Sequence, residues 1–196
     1  MENNPTDNRY TVIIYTENQT GLLQQFSNVF TRHSLDIWSV SASPSALPGI
    51  HKLTIEVRGN EDRVALAVKQ LEKKIEVIKA FYYTDDELIY REVALYKVET
   101  DKLLEYDDFE NLISSNNARI LEMNKTFTVI QKTGNSEETG RLYNDLNRFG
   151  VLQFVRSGRV AVTKSRQEPV SRFLKKREED KSNDPSTNKQ TESWQK

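Results

Sequence analysis

The chain of 196 residues has no cysteine, which excludes disulfides, thiolate metal sites and cysteine nucleophiles together. Its two histidines, His33 and His51, are too few for a histidine-rich metal cage. An excess of one charge is missing as well. Twenty-eight Lys and Arg against 29 Asp and Glu leave a net charge of −1, without the basic surplus of a nucleic-acid binder. No apolar run approaches the roughly 18–20 residues a membrane span needs, and Met1-Glu-Asn-Asn-Pro5 lacks the basic and apolar regions of a signal peptide. A cytoplasmic protein with neither membrane nor nucleic acid as partner is expected. Glycine-rich phosphate loops of the G-x-G-x-x-G or G-x-x-x-x-G-K-[ST] type are absent too. The acidic clusters Asp85-Asp86-Glu87, Asp107-Asp108 and Glu178-Glu179-Asp180 read as solvated links or helix faces, and both histidines as surface residues. No catalytic constellation emerges.

What is present is a pattern of alternating periods. Tyr10 to Thr16 is rich in β-branched and aromatic residues, the mark of a strand. After Asn18-Gln-Thr-Gly21, the residues Leu22, Leu23, Phe26, Val29 and Phe30 fall at helical spacing. Trp38, Val40 and Ala42 alternate with Ile37, Ser39 and Ser41, a second strand. Leu53, Ile55 and Val57 alternate with polar neighbours in a third. Val64, Val68 and Leu71 mark a second helix, and Ile75 to Tyr83 a closing strand. The order is β-α-β-β-α-β, the ferredoxin-like arrangement. The same order recurs from Tyr90, with a hairpin at Asn124-Lys125 and one extra strand after Ser157-Gly158. The fold class is therefore α+β, two ferredoxin-like units. Residues 9–83 form the first, 84–89 a charged link and 90–165 the second. Residues 1–8 and the tail 166–196 read as disordered, apart from a short charged helix near Arg172 to Lys181. The tail's only apolar residues are Val170, Phe173, Leu174 and Trp194. Units this small bury limited area alone, so docking is expected.

One segment carries binding chemistry. Thr16 to Leu23 joins a strand to a helix, whose first amides make a site for a carboxylate or phosphate. Gly21 permits close backbone approach. The competing reading is an ordinary turn with Asn18 or Thr20 as N-cap.

The stretches Glu17-Asn-Gln-Thr-Gly-Leu-Leu23, Phe30-Thr-Arg-His-Ser-Leu-Asp-Ile37 and Ile50-His-Lys-Leu-Thr-Ile55 resemble an ACT domain. Ser39-Val-Ser-Ala-Ser43, Gln70 to Ile78, Tyr90 to Val98 and Val155-Arg-Ser-Gly158 narrow the resemblance to the acetolactate synthase regulatory (small) subunit family. It extends over about residues 9 to 165 and implies a non-catalytic subunit. Its partner would be a large catalytic subunit that carries thiamine diphosphate, Mg²⁺ and FAD, with no cofactor or metal in this chain. The resemblance also implies activation of that partner and feedback inhibition by valine in branched-chain amino-acid synthesis. Valine would sit between two ACT domains of a homodimer. Its contacts map onto Asn18, Gln19, Thr20, Gly21, Leu22 and Leu23 of one copy and Ser34, Leu35, Asp36 and Ile37 of the other. Three residues depart from the family pattern, which commonly has Gly at Ser34, Asn at Asp36 and a smaller polar or acidic residue at Trp38. Two other classes fit the same order of elements. One is an ACT regulator of another enzyme that senses a different amino acid. The other is an RNA-recognition domain, disfavoured by a third strand without aromatics.

Overall fold

The computed structural model describes residues 8–166 and 169–182. Its first unit comprises β1 (Asn8–Glu17), α1 (Leu22–Arg32), β2 (Asp36–Pro44), β3 (Ile50–Gly59), α2 (Glu61–Leu71) and β4 (Val77–Tyr83). The sheet order is β2-β3-β1-β4, all neighbours antiparallel. The second unit comprises β5 (Leu88–Glu99), α3 (Thr100–Leu104), α4 (Phe109–Ser115), β6 (Arg119–Met123), β7 (Phe127–Gly134), α5 (Ser136–Asn147) and β8 (Val151–Arg156). Its order β6-β7-β5-β8 repeats the first, so both units are ferredoxin-like. Two further elements, β9 (Val160–Thr163) and α6 (Pro169–Ser182), follow.

In the first unit Tyr10, Val12 and Ile14 of β1 and Leu53, Ile55 and Val57 of β3 meet Phe26, Phe30, Val64 and Leu71 from the helices. Phe26 and Phe30 are fully buried, each stabilising the fold by roughly 2–3 kcal/mol. The second unit builds its own core from Tyr96, Val98, Leu103, Ile130, Leu142 and Leu146. Tyr96 also donates its hydroxyl to the Thr139 carbonyl at 2.7 Å.

A third cluster joins the units. Every residue of β1 from Tyr10 to Thr16 is buried, and this accounts for a run of apolar and β-branched residues without alternation. Ile13 and Tyr15 point away from α1 and α2, and pack with Leu88, Ala161 and Val170. The covering layer is the start of β5 paired with β9, Leu88↔Thr163 to Arg91↔Val160. Lys52 adds a bond from its Nζ to the Ala161 carbonyl at 2.9 Å. A covered outer face leaves no room for an RNA platform on this sheet.

Three expectations need correcting. The link 84–89 is shorter than its charge suggests. A single 3-10 turn spans Asp85–Glu87, closed by Glu87 accepting from the Thr84 amide at 2.9 Å, and Leu88 already lies in β5, buried. The fourth strand begins at Val77 rather than Ile75, which stands 99% exposed in the preceding turn. Part of the tail is ordered. α6 seats Val170 in the third cluster, fully buried, with Leu174 against it. Four apolar residues look too sparse for a core of their own, but Val170 and Leu174 share one helix face and meet a ready apolar surface. Residues 1–7 and 183–196 lie outside the described residues.

Candidate functional site

The strand-to-helix loop follows Glu17 and ends on Gly21, the N-cap of α1, at φ +82°. No side chain caps the helix, so the expectation of Asn18 or Thr20 in that role is corrected. The first intrahelical bond runs from the Gln25 amide to the Gly21 carbonyl. The amides of Leu22, Leu23 and Gln24 therefore lack intrahelical acceptors. Beneath the loop, buried Thr16 anchors the end of β1 to the Glu76 carbonyl at 2.8 Å. Leu22 is buried, whereas Asn18, Gln19, Thr20, Gly21 and Leu23 are exposed. A cleft of about 230 Å³ lies against the loop. It is lined by Glu17 to Gln19 and Gly21 to Leu23, and across from them by Ala42, His51 and Leu53.

His51 and Ala42 were missed by the sequence reading. Their signal lies in the register: His51 pairs with Thr16, and Ala42 with Leu53, which places both on the same sheet face as the loop's helix. His51 is half-buried there rather than free on the surface.

The second predicted set lies elsewhere. Asp36 pairs with Arg58, which pairs with Arg9, so the start of β2 is at the opposite end of the sheet from Glu17. Eight residues of strand separate them, roughly 27 Å. One copy of the chain therefore does not bring Ser34, Leu35, Asp36 and Ile37 to the loop. Two of the four have work of their own. The Ser34 amide bonds the Thr31 carbonyl at 3.0 Å and the Leu35 amide bonds the Phe30 carbonyl at 3.0 Å. That pattern is a Schellman motif closing α1, with Leu35 buried against the core as its hydrophobic partner. Ser34 sits at φ +53°, where glycine is the easier residue. Asp36 is exposed, and Ile37 is half-buried against the core. Trp38 is the extra residue of a bulge in β2 and lies under the Arg58 guanidinium, 3.8 Å from ring centroid to carbon.

A second constellation joins the units. Arg159 is fully buried, as is Glu56 on β3. Its guanidinium donates to Glu56 at 2.6 Å, to Asp85 at 2.7 Å and to the Thr11 hydroxyl at 2.9 Å, and lies 4.0 Å from the Tyr90 ring centroid. The preceding residues are the Arg156-Ser-Gly158 motif. Arg156 pairs with buried Glu92 at 3.3 Å, and Ser157 exchanges backbone and side-chain bonds with Val93. A Cβ on Gly158 would stand 2.6 Å from the Val40 carbonyl oxygen, so this turn rests directly on β2. The motif is a joint between the two sheets.

Comparison with known proteins agrees with this architecture at both ends. Residues 12–79 match the ACT domain of acetohydroxyacid synthase small subunits, and residues 91–165 match the small subunit of acetolactate synthase. The chain belongs to the acetolactate synthase small-subunit family. It is 28% identical over 148 residues to a probable small subunit from Methanothermobacter thermautotrophicus, covering 76% of this chain and 88% of that one. It is 27% identical over 156 residues to the Bacillus subtilis small subunit, covering 79% and 90%. The crystal structure of the Thermotoga maritima small subunit superposes with a TM-score of 0.73 at 25% identity, covering 82% of this chain and 99% of that one. The family is that of the regulatory, non-catalytic subunit, whose partner is a catalytic subunit. Among the described residues no group of three or more His, Asp and Glu could hold a metal ion, and no helix is long and apolar enough to cross a membrane.

Proposed function

We propose that this chain binds and activates an acetolactate synthase catalytic subunit and carries feedback inhibition by valine held between two copies. The observation that supports it best is the uncapped start of α1 beside a small cleft, at the end of a sheet whose edge strand, among the described residues, pairs on one side only. Free amides and the helix dipole suit a carboxylate. Leu23, Ala42 and Leu53 suit a short branched side chain.

The distance between the two predicted residue sets fits this reading. β2 is an edge strand that, among the described residues, pairs only with β3. A two-fold axis beside its middle residue would pair β2 antiparallel with its copy. The start of one β2 then lies beside the end of the other, next to Ala42 and the loop. Asp36 and Ile37 of a second copy reach the cleft in that arrangement, and in a single copy they do not. Thiamine diphosphate, Mg²⁺ and FAD are assigned to the catalytic subunit and none to this chain.

The test is acetolactate formation by the cognate catalytic subunit, with and without this chain, across a valine titration. Higher turnover that valine then suppresses supports the reading. Unchanged turnover at saturating small subunit refutes it.

A further inference from the structure

A cavity of about 780 Å³ lies on the outer face of the first sheet, away from α1 and α2, between edge strand β4 and α6. That volume falls within the range of small-molecule sites, roughly 300–1,000 Å³. Lys79, Phe81 and Tyr83 line it from the outer face of β4. Arg166 lines it from the segment before α6, and Arg172 and Lys176 from one face of that helix. None of the described lining residues is acidic. Lys79 is matched by Glu72 at 2.6 Å, but among the described residues Arg166, Arg172 and Lys176 have no ion pair. Arg172 and Lys176 stand four apart on a helix, where like charges disfavour each other unless an anion lies between. The rings of Phe81 and Tyr83 are stacked, 6.2 Å between centroids, and Phe173 faces them across the cleft.

We propose that this cleft binds an anionic ligand bearing a planar ring, of the nucleoside polyphosphate class. Arginine forks match phosphate oxygens in pairs, and three unpaired cations balance the charge of a polyphosphate. The half-buried aromatic rings offer a face for a base, which stacks without needing sequence-specific hydrogen bonds. Tyr83 adds a neutral donor. Burial, helped by Glu87, pushes its phenol up to about 12, so the hydroxyl keeps its proton against an anion.

The proposal is independent of the valine reading, and its test is separate. ATP, AMP and inorganic pyrophosphate are titrated into the full chain by calorimetry at about 0.1 M salt, where exposed charges are screened. ATP is expected to bind with a Kd below about 100 µM and pyrophosphate at least about tenfold more weakly, because it lacks the ring. Arg172→Glu with Lys176→Glu should weaken ATP binding by at least about tenfold, since both side chains are exposed and their reversal spares the core. Far-ultraviolet circular dichroism checks that α6 persists in the double variant. Gly21→Asp, in the loop cleft, and Arg119→Glu, on the exposed strand β6, should leave ATP binding unchanged. Absence of ATP binding at about 1 mM overturns the proposal. Equal affinity for pyrophosphate, or equal ATP affinity in the double variant with α6 intact, overturns it as well. An acidic peptide that binds where ATP does not would reassign the cleft.

Discussion

Ser34 illustrates how a single residue is read differently in a sequence and in a fold. Its departure from the family's glycine looks like a change in the effector site, but its backbone holds the left-handed turn that closes α1. A non-glycine residue pays roughly 1–2 kcal/mol in that conformation. Glycine gives part of this back through the extra freedom of the unfolded chain. Ser34→Gly is therefore expected to stabilise the protein by up to about 1 kcal/mol, measured by urea unfolding, with valine affinity almost unchanged. Gly21 is the opposite case. Its place just before a helix was legible from the sequence, and the structure sets it at φ +82°, where glycine is the easiest residue. Gly21→Asp places a negative charge against free amides, and calorimetry should show valine binding lost. His51 was not legible, since its position over the cleft depends on pairing with Thr16 across two strands.

The tyrosines set a pH limit at the same scale. Tyr82, Tyr83, Tyr90 and Tyr96 are all held above the usual phenol value, burial being the first cause in each. For Tyr83 the folded value is about 12 against 10.0 unfolded. Between those values the folded chain keeps protons that the unfolded chain has lost, so stability falls as pH rises. The contribution is whole below pH 10 and is lost on approach to 12. Thermal melts should fall steadily above about pH 10, and phenolate absorbance should rise later in the native protein than in urea.

At the scale of elements, strand and helix types followed directly from periodicity, while the junctions between units did not. The charged run at Asp85-Asp86-Glu87 looks like solvated link, but Asp85 is one arm of the Arg159 cluster. A long-range partner, 74 residues away, leaves no local trace in the sequence. Arg159→Met should destabilise the chain by about 3–5 kcal/mol, because it leaves buried Glu56 with only the longer, half-exposed ion pair to Arg9 at 3.7 Å. Arg159→Met combined with Glu56→Leu should recover much of that loss, and urea unfolding of the single and double variants measures it. Deleting everything after Ser165 carries a cost that composition conceals. It would expose Ile13 and Tyr15 beside the space left by Val170, whose full burial alone contributes roughly 1.5–3 kcal/mol.

For the whole molecule, the repeated β2-β3-β1-β4 order was legible because each small unit shows the same switch of periods. What couples the two units was not, since β5 pairs with β7 and β8 in its own sheet while its start, paired with β9, packs over the first. That coupling bears on assembly. The second unit covers the outer face of the first sheet, and its Gly158 turn supports the middle of β2. Among the described residues β2 pairs only with β3, which leaves its other edge without a strand. In the two-fold pairing proposed above, the central residue of β2, Val40, faces its own counterpart. Val40 is 41% exposed, so a polar replacement there spares the core. Two aspartates opposed at about 5 Å repel by about 3 kcal/mol at an effective dielectric near 20. That is about a hundredfold in the dimer constant. Val40→Asp should therefore shift sedimentation toward monomer while circular dichroism and melting stay close to the parent. If valine sits between copies, its affinity should fall together with the dimer and recover at higher protein concentration. A monomeric variant that still binds valine at full affinity would place the effector site within one chain.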